Sequence, residues 1–155
     1  MTVNTSGGSR LYIGSTATFN DQAGYETESW LEVGEIENLG EFGDESSLIT
    51  FTALKDGRTR KFKGPRDAGT MVIVVGSDSS DAGQAAMLTA EADDVFDYNF
   101  KVEENDELTV SGTPTTSYFR GKVTSRRKSI NDIQNVVRKT FNVAINSAII
   151  EVSPT

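Results

Sequence analysis

Residues 117–147 read SYFRGKVTSRRKSINDIQNVVRKTFNVAINS, and their patterning decides the class of fold. Over 117–125, Phe119 and Val123 alternate with Tyr118, Arg120 and Lys122. Over 137–145, Val137, Lys139, Phe141, Val143 and Ile145 recur at every second position. A period of two sends successive side chains to opposite faces, as in a strand with one face covered. Both segments are therefore predicted as strands, joined by the polar connection RRKSINDIQN.

The same reading extends outward in both directions. Residues 148–152 form a short last strand. Upstream, FDYNFKV (96–102) sets Phe96, Tyr98, Phe100 and Val102 against Asp97, Asn99 and Lys101. Before it, DAGQAAMLTAEADD (81–94) is rich in Ala, with Thr89 as its one β-branched residue. Asp81 followed three residues later by Gln84 fits a capping box. This predicts a helix over about 81–94, with Ala85, Leu88 and Ala92 on its apolar face. MVIVV (71–75) is apolar on both parities and is predicted as a central strand covered on both faces. Asp56-Gly57 marks a hairpin turn between strands at 47–54 and 59–63, with Gly64-Pro65 ending the second. WLEVGEI (30–36) is a strand whose alternation breaks at Gly34, as at a bulge. Trp30 is expected in the core. Residues 20–29 are a polar connection, 10–15 a first strand, and 1–9 a flexible arm. No internal repeat and no linker divides the chain, so 1–155 is read as one domain. The order of strands, one helix and strands predicts a mainly β fold: a β-sandwich or partly closed barrel with one flanking α-helix.

Composition narrows the chemistry. The 155 residues include no Cys and no His. Disulfides, thiolate metal sites and thiol catalysis are excluded, and the commonest general base and transition-metal ligand are missing. No phosphate-binding glycine loop and no nucleophile elbow occurs. DSSDAG (78–83) places a Gly as a calcium loop does, but Ala82 and Thr89 stand where ligands belong. Glu103, Glu104, Asp106 and Glu107 read as a solvated turn, with a weak calcium site as the alternative. No catalytic residue, cofactor or metal ligand is assigned. MTVNTSGGSR carries no apolar stretch of a signal peptide, and no segment approaches the roughly 20 apolar residues of a membrane span. Synthesis and retention in a cytoplasm are expected.

The charges carry more. Acidic residues number 23 against 15 basic, a net of -8, which disfavours general nucleic-acid binding. They are also segregated. Glu35, Glu37, Glu41, Asp44 and Glu45 crowd the loop NLGEFGDESS (38–47) and the strand end before it. Arg58, Arg60, Lys61, Lys63 and Arg66 crowd the next hairpin, and Arg120, Lys122, Arg126, Arg127 and Lys128 form a second basic group. Three readings are open: ordinary solvated faces, a nucleic-acid contact, or an interface in which an acidic loop of one subunit meets a basic patch of the next. Phe42, between Gly40 and Gly43, either folds back onto its own domain or anchors a neighbour.

The order DAGQAAML, FDYNFKV, SYFRGKVTS, RRKSINDIQN, VVRKTFNVAINS resembles the core of siphophage tail tube proteins. NLGEFGDESS and TALKDGRTRKFKG, upstream, are similar to that family's long loop and charged hairpin. The resemblance implies a structural virion protein, not an enzyme, whose hexameric rings stack into a tube for DNA passage. It implies strands contributed to a continuous inner barrel, the helix outside, and a long loop reaching the adjacent ring. The implied partners are other copies, with tape measure, tail terminator and distal tail proteins at the tube ends. The implied location is the virion tail, assembled in the bacterial host cytoplasm. The resemblance also implies a lumen, usually negatively charged, through which DNA passes without being specifically bound. Glu41, Phe42, Asp44, Glu45, Arg58, Arg60, Lys61, Arg120, Arg126 and Arg127 become candidate inter-subunit or inter-ring contacts. Secretion-system and contractile-injection tubes share the fold and stay open as alternatives, as does a small ligand-binding barrel lined by Phe96, Tyr98, Phe100 and Phe141.

Overall fold

A computed structural model of the chain describes residues 3–155. Residues 1 and 2 of the expected arm lie outside the described residues. In chain order the elements are β1 (Arg10–Ile13), α1 (Gln22–Glu26), β2 (Leu31–Val33), β3 (Ile36–Asn38), β4 (Glu45–Thr52), β5 (Thr59–Asp67), β6 (Thr70–Gly76), α2 (Ala82–Ala92), β7 (Tyr98–Glu103), β8 (Thr116–Ser129), β9 (Arg138–Ile145) and β10 (Ile150–Val152). The fold is mainly β, as the alternation predicts.

Eight strands form one antiparallel sheet in the order β2-β1-β7-β8-β9-β6-β3, with β10 added to the start of β8. β2 and β3 stand at opposite ends of that order, yet only Gly34 and Glu35 separate them in the chain. A sheet whose two ends meet at one corner has to curl. Its inward face then fills with Leu11, Val33, Ile73, Phe100, Phe119 and Phe141, among others, in a single buried cluster. The predicted strands at 117–125 and 137–145 are the centre of this wrap. They pair through Gly121↔Ile145 and Val123↔Val143, and their Phe119, Val123, Phe141, Val143 and Ile145 all point inward.

Several local expectations are corrected. Gly34 marks a corner rather than a bulge, because β2 pairs with β1 and β3 pairs with β6. Glu35 makes the turn with a positive φ of 58°. The connection RRKSINDIQN begins as strand over its first four residues, because β8 runs on to Ser129 opposite Arg138. Only one face of β6 is buried: Met71, Ile73 and Val75 are covered, while Val72 is 43% exposed. Gly64-Pro65 does not end β5. The two residues sit in a bulge opposite Ser47, which accommodates a residue without an N–H, and the strand continues to Asp67. The polar connection at 20–29 contains α1. Trp30 is half-buried outside the main cluster, its indole N–H donating to the Tyr25 carbonyl and its ring beside Tyr118.

Helix α2 falls where predicted, and Asp81 caps it by accepting from the Gln84 N–H at 2.8 Å. Its buried stripe is Gly83, Gln84, Met87 and Ala90, one step round from the predicted Ala85, Leu88 and Ala92. Gln84 does not complete a capping box. Its side-chain amide donates to the carbonyls of Gly34 and Gly76, and its oxygen accepts from the Asp78 N–H. Asp81 also accepts from the Gly34 N–H at 3.1 Å. The helix start is thus bolted to the β2–β3 corner, satisfying backbone groups that a corner would otherwise leave unpaired.

Candidate functional site

β4 and β5 form a sheet of their own, paired from Glu45↔Asp67 to Thr52↔Thr59 and joined to no other strand. Alternation along β4 and direct pairing across the ribbon place Ile49, Phe51, Arg60 and Phe62 on one face. Leu48, Thr50, Thr52, Thr59, Lys61 and Lys63 take the other. Neither face is covered: Ile49 is 51%, Phe51 57% and Phe62 54% exposed, and Leu54 in the turn is fully exposed. The Asp56-Gly57 turn forms as the sequence predicts, with Gly57 at φ 63° and Asp56 accepting from the Arg58 N–H. A lone two-stranded ribbon is marginal in water, and this one buries no apolar face of its own.

The predicted contact residues distribute unevenly. Glu41, Asp44 and Glu45 are exposed at the root of the ribbon. Arg58, Arg60 and Lys61 lie at its far end, where Arg60 pairs with Asp56 at 2.9 Å. Seven residue steps separate Glu45 from Thr52, roughly 23 Å at strand rise, so the acidic root and basic tip of one ribbon cannot neutralise each other. Phe42 folds back, its ring 5.7 Å from that of Phe119, and so fastens the acidic loop to the body. Gly40 presses on β6 nearby; at its φ of 67° an added Cβ would stand 2.5 Å from the Val72 carbonyl oxygen.

The second basic group divides in two. Arg120 is engaged within the chain, donating to Thr18 Oγ1 and to the carbonyls of Thr16 and Asp97. Lys122 pairs with Asp97. Arg126 reaches Glu91 of α2 at 3.5 Å. Arg127, Lys128 and Lys139 have no salt bridge among the described residues, and with Arg126 they surround Leu88 in a shallow depression. The acidic turn is likewise occupied locally: Glu103 pairs with Arg10 and Lys101, and Asp106 accepts from the Thr115 N–H and hydroxyl. Among the described residues no group of three or more acidic side chains is placed to hold a metal ion.

Partial burial pushes the Asp97 carboxyl up, but hydrogen bonds from Lys122 and Asn146 and the charges of Lys122 and Arg120 outweigh it and hold the group below its ordinary range. A carboxylate depressed in the folded state stabilises the fold above its unfolded pKa, and the effect is lost as pH falls through the depressed value. Asp97→Asn should therefore cost about 1 kcal/mol at neutral pH. The difference from the unmodified chain should close as acid protonates Asp97. Thermal melts across a pH series check this; a pH-independent gap would count against the ion pair.

The exposure of the ribbon's apolar residues is not foreseen in the sequence. One cue was present. TRKFKG carries basic residues on both parities, which leaves no face fit for a core.

No protein-family model matches this chain, and no curated protein matches it in sequence. Solved structures do match in fold. A chain of the anti-feeding prophage baseplate aligns with TM-score 0.74 at 10% identity, covering 99% of this chain and 97% of that one. The sheath/tube terminator structure of the PVC extracellular contractile injection system contains a chain with TM-score 0.71 and 8% identity, covering 99% of each. The SPP1 tail tube protein aligns with TM-score 0.61 at 12% identity, covering 94% of this chain and 76% of that one. The chain therefore has the tail tube fold.

Proposed function

We propose that this protein is a structural tube subunit that assembles with copies of itself into hexameric rings stacked as the tail tube of a virion, a conduit for DNA. The observation that carries the reading is the β4–β5 ribbon, which exposes Ile49, Phe51, Phe62 and Leu54 on a segment with no core of its own. Such a segment is stable and soluble when another chain covers it. The similar folds supply the kind of assembly: a tail tube, a terminator and a baseplate. Tape measure, terminator and distal tail proteins would contact the tube ends, and assembly would precede release from the bacterial host cytoplasm. The full-length match to a chain of a contractile injection system favours one further reading, a tube inside a contractile sheath. A ligand-binding barrel has less support, because Phe100 and Phe141 are fully packed while Phe96 is 58% exposed, so the four aromatics do not line one cavity.

Negative-stain microscopy of the concentrated protein should show rings or tubes. A chain that stays monomeric at every concentration and salt tested would sink the proposal. Arg58→Glu with Arg60→Glu should raise the concentration needed for assembly at least about tenfold, since like charges would then approach the acidic loop of a neighbour. Sedimentation of the variant measures this, and an unchanged threshold would show that the basic tip does not meet acid.

A further inference from the structure

Lys128 and Lys139 stand directly opposite each other on β8 and β9. Like charges in that position repel and weaken the pairing of the strands. Arg126 shares their face, and Leu88 of α2 lies among them in a depression of 340 Å³ that Arg127 completes. Little counter-charge is at hand. Glu91 reaches Arg126 at 3.5 Å, and the Asp78 carboxyl, held below its ordinary range first by hydrogen bonds from Ser80, also feels the Lys139 charge. The other end of β8 carries the opposite surface. Residues 104–115 join β7 to β8 beyond the Glu103↔Thr116 pair. Partial burial raises the Glu104 carboxyl above its ordinary range, and the charges of Asp106 and Glu151 add to the effect. Glu107 has only a 3.8 Å contact with Arg10. Beside these acids Leu108 is 69% exposed and Val110 fully exposed.

Twelve residue steps of β8, about 40 Å at strand rise, separate Thr116 from Lys128, so the acidic loop and the basic depression of one chain cannot neutralise each other. We infer that the Leu88 depression receives the 104–110 loop of a second copy of this chain. This rests on the assembly reading above and adds to it a contact made by neither strand of the ribbon. Glu104 and Glu107 would meet Lys128 and Lys139, while Leu108 and Val110 would cover Leu88. A phosphate backbone would satisfy the cations but leave Leu88 uncovered, so the apolar floor favours a protein segment. The loop is also held in shape from within. The Leu108 N–H donates to the Thr155 main-chain oxygen, and Asp106 accepts from the Thr115 N–H. A preformed loop loses little freedom on binding. Donor and receptor are different patches at opposite ends of one strand, so the contact is heterologous and runs head to tail from copy to copy.

A charge swap tests the pairing. Glu104→Lys or Lys128→Glu alone should raise the concentration needed for assembly about tenfold or more, and the two combined in one chain should bring it back to within about threefold of the unmodified protein. Sedimentation across a dilution series reads all three. Because the chain has no cysteine, disulfide trapping gives a second measurement without background. Val110→Cys chains mixed with Lys128→Cys chains under assembly conditions and oxidised should link about tenfold or more faster than Val110→Cys chains mixed with an Asn20→Cys control. Unshifted thresholds in the single variants, or shifts that add in the double instead of cancelling, with trapping no faster than the control, would overturn this contact while leaving the tube reading intact. Absence of assembly by the unmodified chain would overturn both.

Discussion

With Phe51 and Phe62 both replaced by serine, the protein should remain dispersed at concentrations where the unmodified chain assembles. Both rings stand more than half exposed on one face of a ribbon that belongs to no other sheet. Removing them from an isolated subunit takes away little buried area, so thermal stability should change by no more than about 0.5 kcal/mol. In an assembly each ring becomes covered. Burying a Phe side chain is worth about 1.5–3 kcal/mol, and even the lower figure for each of two residues gives about 3 kcal/mol per contact. At 1.4 kcal/mol per decade this raises the critical concentration about a hundredfold. Sedimentation across a dilution series, with melting of the dispersed protein as control, measures both quantities. Assembly at an unshifted concentration would show that the exposed rings are not the contact. A large fall in Tm would show that they support the subunit itself.

The largest effect on the isolated fold should come from Gly83→Ala. Gly83 lies in the first turn of α2 against β2, and an added Cβ would overlap the Glu32 carbonyl oxygen and stand 2.5 Å from the Val33 Cα. Those neighbours are backbone, which cannot rotate aside as a side chain could. Alanine is the better helix former by about 1 kcal/mol, but the helix would have to lift off the strand. Lifting it strains the Gln84 bonds to Gly34 and Gly76 and loosens Met87, which is fully buried. Taking the upper end of overpacking costs, about 3 kcal/mol, the net loss is about 2 kcal/mol, a fall in Tm of about 6 °C for a chain of this length. Calorimetry decides it, and a Tm within a degree or two of the unmodified protein would mean that the helix sits further from β2 than the structure places it.

Much of the fold was legible because strand and helix patterning is local. Phe119, Val123, Phe141, Val143 and Ile145 announce their shared face by spacing, and all of them are in the core. Asp81 announced the helix start. The helix face was harder, because α2 is nearly all small residues: a stripe of Ala carries little contrast, and its buried face is set by Gly83 fitting against β2 and Gln84 reaching the corner. Arg120 and Lys122 read as surface cations by composition. Their partners, Thr16, Thr18 and Asp97, come from distant segments that only the wrap of the sheet brings near. Phe42 had two sequence readings, and packing against Phe119 shows that it folds back onto its own chain.

Residues 117–147, taken alone, determined two core strands and their inward faces, since a period of two is a property of the backbone and needs no partner. The lack of His and Cys likewise removed whole classes of chemistry without any coordinates. Tertiary structure alone decided that β2 and β3 part at Gly34 to serve opposite ends of one curled sheet. It alone showed that β4 and β5 stand outside that sheet. Strand pairing is non-local, and alternation looks the same whether the covering surface belongs to the strand's own chain or to a neighbour's.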